Sequence, residues 1–227
     1  MEQREVLEHL LLKGSRDIGV TIEAEQAHQF IAYLNQLKLW NRSFNLTAIA
    51  NDEEIIVKHF IDSLAALGAV SIEPGSQILD IGAGAGFPGI PLKIARSDLH
   101  LTLIEPIHKK SSFLHFIVGL LKLHNVAIFQ GTLESFIRTP TTSSVYDYVT
   151  TRALDPSLIF QNAHNLLKDC GKAIFYSSRP LSRASLSTDW SFVSDYTFEL
   201  PHAYGLRTVS IFSHRAGPSS LVVPRGT

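Results

Sequence analysis

Asp80, the alternating glycines Gly82, Gly84 and Gly86, and Glu105 are the residues whose types and spacing suit a nucleotide-type cofactor. Glycines at every second position let a chain turn sharply and bring bare backbone against a ligand. Residues 77–80 read as a short buried strand. Pro88 and Pro91 fix φ near the helical value, which predicts a helix start at about Pro88. Strand, glycine turn and helix form the geometry of a cofactor site at the tip of a parallel strand. Glu105 ends a second predicted strand, where its carboxylate can accept from both ribose hydroxyls of an adenosyl group. A strand-end acid that simply solvates is the alternative.

Residues 84–89 also satisfy G-x-G-x-x-G, with Glu105 at a suitable distance for a dinucleotide ribose. Pyrophosphate binding, however, relies on free N–H groups in the first helical turn, and Pro88 and Pro91 each remove one. Asp80 would add a carboxylate near the phosphates. S-adenosylmethionine carries no phosphate, bears a sulfonium and an ammonium, and tolerates an acid at the strand tip. It is the expected cofactor, with a dinucleotide as the alternative. After the third strand, Leu133 and Glu134 are placed to lie along the adenine, although acid placement at a helix N-terminus explains Glu134 nearly as well.

The acceptor side is less marked. A D/N/S-P-P-Y turn for amino methylation is missing from Thr150-Thr151-Arg152-Ala153. Cys170 precedes the fifth strand and is expected in the core, not as a nucleophile. A nitrogen that is already nucleophilic, such as guanine N7, needs only alignment with the donor. No general base with a convincing partner is found, so the catalytic residues stay unassigned. Arg152, Lys109 and His59 are the substrate-side candidates. His59 and Asp62 lie one helical turn apart, either as a surface pair or as part of a site wall. Lys58, Lys93, Arg96, Lys109, Lys110 and Arg152 form either a basic rim or ordinary solvated charges.

Helices over residues 1–70 position these groups from one side. Val6, Leu7, Leu10 and Leu11 make a stripe ending near Gly14. Thr21 is the expected cap of a second helix holding Ala27, Phe30, Ile31, Leu34 and Leu37 at helical spacing. Residues 40–47 read as a polar connection, and Asn51 with Glu54 as the capping box of a third helix burying Ile55, Ile56, Phe60 and Leu64. From residue 77 the pattern becomes βα repeats. Strands are expected over 77–80, 101–105, 126–130, 146–150 and 171–176, with helices over 109–123 and 156–167. Strands 192–200 and 208–214 follow with no helix between them and should pair antiparallel. Five parallel strands and a terminal hairpin give the chain order of a class I S-adenosylmethionine-dependent methyltransferase: a Rossmann-like α/β fold with a mostly parallel seven-stranded sheet, an antiparallel last strand and an N-terminal helical extension. The expected division is a helical segment at 1–70 packed on a methyltransferase domain at 71–216. The remainder, 217–227, is set apart as a tail, in which residues 221–227 resemble a thrombin-type cleavage site, as a vector remnant would.

A chain of 227 residues with 45% hydrophobic and 18% charged residues can bury a proper core. No apolar run reaches membrane length, and the charged start does not suit a signal peptide. One cysteine excludes an intramolecular disulfide and suits the cytoplasm. The ten histidines lack metal-ligand spacing, so no metal is expected. A net charge of −1 means that any grip on nucleic acid rests on a local patch.

Taken together, the chain resembles the glucose-inhibited division protein B family (GidB, RsmG), bacterial guanine-N7 methyltransferases of 16S rRNA. The resemblance rests on Trp40-Asn41 through Asn45-Leu46-Thr47, Lys58-His59-Phe60-Ile61-Asp62-Ser63, residues 80–91 and Thr151-Arg152-Ala153. It implies that Gly82, Phe87, Glu105, Leu133, Glu134 and Arg152 contact the cofactor and that Lys109 belongs to a basic surface meeting RNA. It also implies a cytoplasmic enzyme, expected to be a monomer, acting on the small ribosomal subunit and not on a membrane. The chain departs from the family pattern at Thr132, where arginine is frequent, at Ser177-Ser178, where Lys-Gly is frequent, and at Ser111 and Ser112. Fewer cations weaken RNA binding. A different substrate for the same fold, or a non-catalytic ribosome-associated protein that binds the cofactor, are therefore the alternatives.

Overall fold

The computed structural model describes residues 2–139, 145–183, 186 and 188–215. Helices α1 (Glu2–Asp17), α2 (Ala24–Phe44) and α3 (Asp52–Ile55) lead into a π-helical segment (Ile56–Ile61) and α4 (Asp62–Ala69). The repeats are β1 (Gln77–Ile81), α5 (Gly89–Ala95), β2 (His100–Ile104), α6 (His108–Leu120), β3 (Val126–Phe129), α7 (Leu133–Ile137), β4 (Tyr146–Thr151), α8 (Pro156–Leu166) and β5 (Leu167–Ser177). The hairpin β6 (Trp190–Glu199) and β7 (Leu206–His214) closes the order. The sheet runs β3-β2-β1-β4-β5-β7-β6. β1 to β5 are parallel, and β7 is antiparallel to both neighbours, as expected.

Strands with helices on both faces must be apolar on both. Ile78, Ile174 and Ile211 therefore enter one core, and their chain neighbours Leu79, Phe175 and Phe212 the other. The first core also takes Leu11, Phe30, Tyr33, Leu37, Phe60 and Leu64. The N-terminal helices and the sheet thus share one apolar interior. The tail at 217–227 and most of the polar stretch at 139–144 lie outside the described residues.

Several local expectations change. Gly14 does not end the first helix; it lies inside α1, where an added Cβ would meet Ile61 and Pro201. Val6 is exposed and leaves the apolar stripe. Glu23, not Thr21, caps α2 through a reciprocal capping box with Gln26. Asn51 caps α3 by accepting from the Glu54 N–H at 3.0 Å. Residues 40–44 continue α2, which ends only at Asn45 in the left-handed region. β5 starts at Leu167, directly after α8, because Leu167 pairs with Tyr146 across an irregular register. Cys170 is exposed, with φ +61, and not in the core.

Candidate active site

The parallel strands β1, β2 and β4 end at one edge of the sheet, and the loops that follow them carry most of the predicted residues. Gly82 and Ala83 both donate to the Ile104 carbonyl, at 2.9 and 3.0 Å, which ties the glycine loop to the end of β2. Gly82 and Gly84 have φ of +73° and +61°, the left-handed region that favours glycine. Gly84 N–H donates to one oxygen of Glu105 and Ile107 N–H to the other, each at 2.8 Å. The Glu105 side chain, 3% exposed, therefore bridges the loops after β1 and β2. Each oxygen retains acceptor capacity beyond that bond.

Asp80 is fully buried under the same loop. Its Oδ2 accepts from Gly89 N–H at 2.8 Å, while Oδ1 has no partner among the described residues. Burial pushes its carboxyl up to about 7, against the opposing pull of the Gly89 N–H and Arg152. A folded-state value above the unfolded one stabilises the protein below about pH 4, and that contribution is lost as pH rises toward 7. His59 acts oppositely: burial first, then Arg152, lower it to about 3, so its contribution is lost as pH falls from about 6.5. We therefore expect the stability difference between wild type and Asp80→Asn to change by up to about 1.4 kcal/mol per pH unit between pH 4 and 7. Urea midpoints across that range measure it. A constant difference would mean that Asp80 does not titrate there.

Phe87, at the end of the loop, stacks on His59 with ring centres 4.5 Å apart and planes 12° from parallel. His59 Nε2 meets the Thr47 hydroxyl at 2.8 Å. Thr47 is held in turn by Asn41, which accepts from its N–H and donates to its carbonyl. The segment 40–47 thus braces the histidine that backs Phe87. From the other side, Tyr33 donates to the Ala85 carbonyl and stacks on Phe87 at 5.6 Å. Neutral, bonded and stacked, His59 supports the loop; it is not poised as a base near neutral pH. Tyr33, absent from the apolar stripe read in the sequence, was missed because its partner Ala85 lies 52 residues away.

Arg152, just beyond β4, faces the π-helical segment. Its guanidinium pairs with Asp62 at 3.0 Å and donates to the Lys58 carbonyl at 3.0 Å, Ser63 Oγ at 3.2 Å and the His59 carbonyl at 3.4 Å. Asp62 is 3% exposed, so the His59 and Asp62 pair is not a surface interaction; His59 meets Thr47 and Asp62 meets Arg152, each partner half-buried. Arg207, also missed, stands 3.9 Å from Asp62. It adjoins Thr208, the residue paired with Ser177.

The other candidates are more dispersed. Leu133 is buried in the second core, and Glu134 is exposed in the first turn of α7, which Thr132 caps. Glu134 is lowered by its own backbone N–H and then by Thr132. Lys109 is exposed at the start of α6, with Nζ 5.7 Å from the Phe44 ring centre. Lys58 pairs with Glu54 at 3.0 Å and lies over Tyr204. Lys93 and Arg96 leave the proposed rim. Lys93 is buried and donates to the Ser97 and Leu99 carbonyls, and Arg96 forks onto Asp98, both at the opposite edge of the sheet. A cavity of about 680 Å³ beside α8, lined by Phe160, His164 and Leu181, contains none of the predicted residues.

Comparison with known proteins follows this geometry. The solved structure of an S-adenosylmethionine-dependent methyltransferase from Aquifex aeolicus matches with a TM-score of 0.54 at 13% identity, covering 75% of this chain and 97% of that one. P. horikoshii TYW2 in complex with MeSAdo matches at 0.50 with 15% identity, covering 65% and 60%. These likenesses show the class I fold. Among curated relatives, ribosomal RNA small subunit methyltransferase G of Clostridium botulinum (strain Loch Maree / Type A3) is 38% identical over 146 residues, 64% of this chain and 61% of the relative. The protein of that name from Roseiflexus castenholzii is 41% identical over 144 residues, 63% and 61%. The chain thus spans less than two thirds of the length of these relatives. The model of the GidB family, described as rRNA small subunit methyltransferase G, matches residues 26–196, and with that match over most of its length the chain belongs to this family.

Proposed function

We propose that the protein transfers a methyl group from S-adenosylmethionine to N7 of a guanine in 16S rRNA of the small ribosomal subunit, as a cytoplasmic monomer. The observation that carries the cofactor assignment is the Glu105 carboxylate, with acceptor capacity to spare, beside left-handed glycines and above the unpartnered Asp80 Oδ1. A buried polar atom without a partner calls for a ligand or water. Acceptors of this kind suit ribose hydroxyls and an ammonium and repel pyrophosphate, so the residues present fit S-adenosylmethionine. Gly84 adds bare backbone, since a Cβ there would meet only the Gly82 carbonyl at 3.9 Å. Glu105 would hold the ribose, Gly82 and Gly84 would admit the ligand, and Phe87 on His59 would form a wall.

When bound, that group supplies an electrophilic methyl on a sulfonium. Guanine N7 has a lone pair and no proton, so the chain's task is to hold the acceptor in line, and no base is required. A neutral His59, with Nε2 bonded to Thr47 and its ring stacked on Phe87, agrees with that chemistry. Arg152 positions the segment carrying His59 from the β4 side. No helix among the described residues is long and apolar enough to cross a membrane.

The test incubates small subunits lacking native N7 methylation with the protein and labelled S-adenosylmethionine, then analyses the nucleosides by mass spectrometry. Labelled 7-methylguanosine is expected. No label, from protein that binds the cofactor, would point to another acceptor or to a protein without catalysis. Glu105→Ala is expected to weaken cofactor binding by about 1–3 kcal/mol in calorimetric titration. It should also lower the melting temperature, because the Gly84 and Ile107 N–H groups lose their acceptor. Unchanged affinity would remove Glu105 from the ribose role.

A further inference from the structure

Between residues 26 and 51, and again between 106 and 133, the chain has no aspartate or glutamate. The two stretches contain α6 and the part of α2 after Glu25, helices that pack against each other. Along their seam runs a continuous aromatic surface. Trp40 touches Phe44, Phe113 and Phe116, with ring centres 5.4, 5.5 and 5.2 Å apart. Phe113 is buried, whereas Phe44 and Phe116 are 37% and 38% exposed, and Leu120 one turn further along α6 is 46% exposed. Lys109 lies on the same face of α6 as Phe116, with its ammonium over the Phe44 ring. Arg42, Lys109 and Lys110 have no acidic partner within ion-pair distance among the described residues.

We propose that this ledge binds an unpaired stretch of RNA, with bases stacked on Phe44 and Phe116 and phosphates held by Lys109 and Arg42. Part-exposed rings beside cations without carboxylate partners are the combination that a single strand recognises. Aromatic faces stack any unpaired base, and neighbouring cations displace counterions from its backbone. A closed duplex offers the rings no face, so the occupant is single-stranded. The ledge is also continuous with the candidate site. Lys109 stands in the first turn of α6, two residues after Ile107, whose N–H donates to Glu105. A strand lying along Phe116, Phe44 and Lys109 would lead to the tips of β1 and β2. The proposal rests on the RNA substrate above and extends it from the reacting base to the flanking nucleotides.

The test uses the full chain and a short fluorescein-labelled adenylate RNA. Phe44→Ala and Phe116→Ala are each expected to weaken binding about tenfold, as lost base stacks do, and Phe116→Trp to retain it. Lys109→Ala should lower the slope of log affinity against log salt by about 0.7, which the phenylalanine variants leave unchanged. Cofactor affinity and melting temperature should stay at parental values in the phenylalanine variants. The proposal is overturned if the Phe44→Ala, Phe116→Ala double variant binds the RNA like the parent. It is equally overturned if Phe116→Trp loses binding as Phe116→Ala does, or if duplex RNA binding falls by the same factor. Methylated subunits from a double variant with parental RNA affinity would leave the enzymatic assignment standing without the ledge. RNA binding through the ledge with no methyl transfer by the parent would do the reverse.

Discussion

Replacing Arg152 with alanine is expected to remove about 3 kcal/mol of stability. The guanidinium lies between β4 and the π-helical segment and meets Asp62, Ser63 and the carbonyls of Lys58 and His59. Truncation leaves Asp62, 3% exposed, close to an uncompensated buried charge. Breaking a buried pair in this way costs about 3–5 kcal/mol. The lower figure applies because Arg207 remains 3.9 Å from the carboxylate. Arg152→Lys should recover little, since an ammonium cannot reproduce the planar fork that serves four acceptors. Asp62→Asn on the alanine background should restore part of the loss by removing the stranded charge. Urea unfolding of the three variants decides it. A loss below about 1 kcal/mol for Arg152→Ala, typical of an exposed pair, would show that the guanidinium is not structural.

Gly86→Ala is expected to have the second largest effect, roughly 3 kcal/mol. Gly86 has φ +104, where a side chain is strained by about 1–3 kcal/mol. A Cβ there would also lie 2.6 Å from Ile90 Cδ1 and 2.7 Å from the Tyr33 hydroxyl, so α5 or Tyr33 must move. Overpacking of that kind costs about 1–3 kcal/mol more. Tyr33 donates to the neighbouring Ala85 carbonyl, so the displacement reaches the loop directly. Gly84→Ala is the control. Its φ of +61 carries a strain of about 1–2 kcal/mol, but its Cβ would have open space. Gly84→Ala should therefore cost less stability than Gly86→Ala and proportionately more cofactor affinity. Equal stability losses would show that contact with Tyr33 and Ile90 plays no part.

The succession of strands along the chain was legible because buried parallel strands are short apolar runs and the last two lack a helix between them. Gly82, Gly84 and Glu105 could be placed for a related reason: turn chemistry and strand ends are local. What sequence reasoning could not reach were contacts between distant segments. Lys93 resembles any helical surface lysine until the turn after α5 folds back and offers it two carbonyls. Cys170 reads as core by residue type, yet the chain turns at positive φ between α8 and the inner part of β5 and exposes it. Ser111 could be taken for a lost cation, but it is 1% exposed, so a small residue is a packing requirement there. The role of Asn41 and Thr47 as the brace of His59 depends on two helices meeting.

The π-helical segment has a consequence for chain length. Such a turn holds one residue more than the α-turn it interrupts. Deleting a residue of this segment ahead of His59 would regularise the helix and leave the turns on either side in register, but it would change the angle between His59 and Asp62. With that angle changed, the stack of His59 on Phe87 and the pairing of Asp62 with Arg152 no longer fit together. The additional residue lets one continuous helix face the glycine loop with one end and β4 with the other. A shortened chain can therefore keep its helix and its core residues and still lose the joint between these two parts of the site.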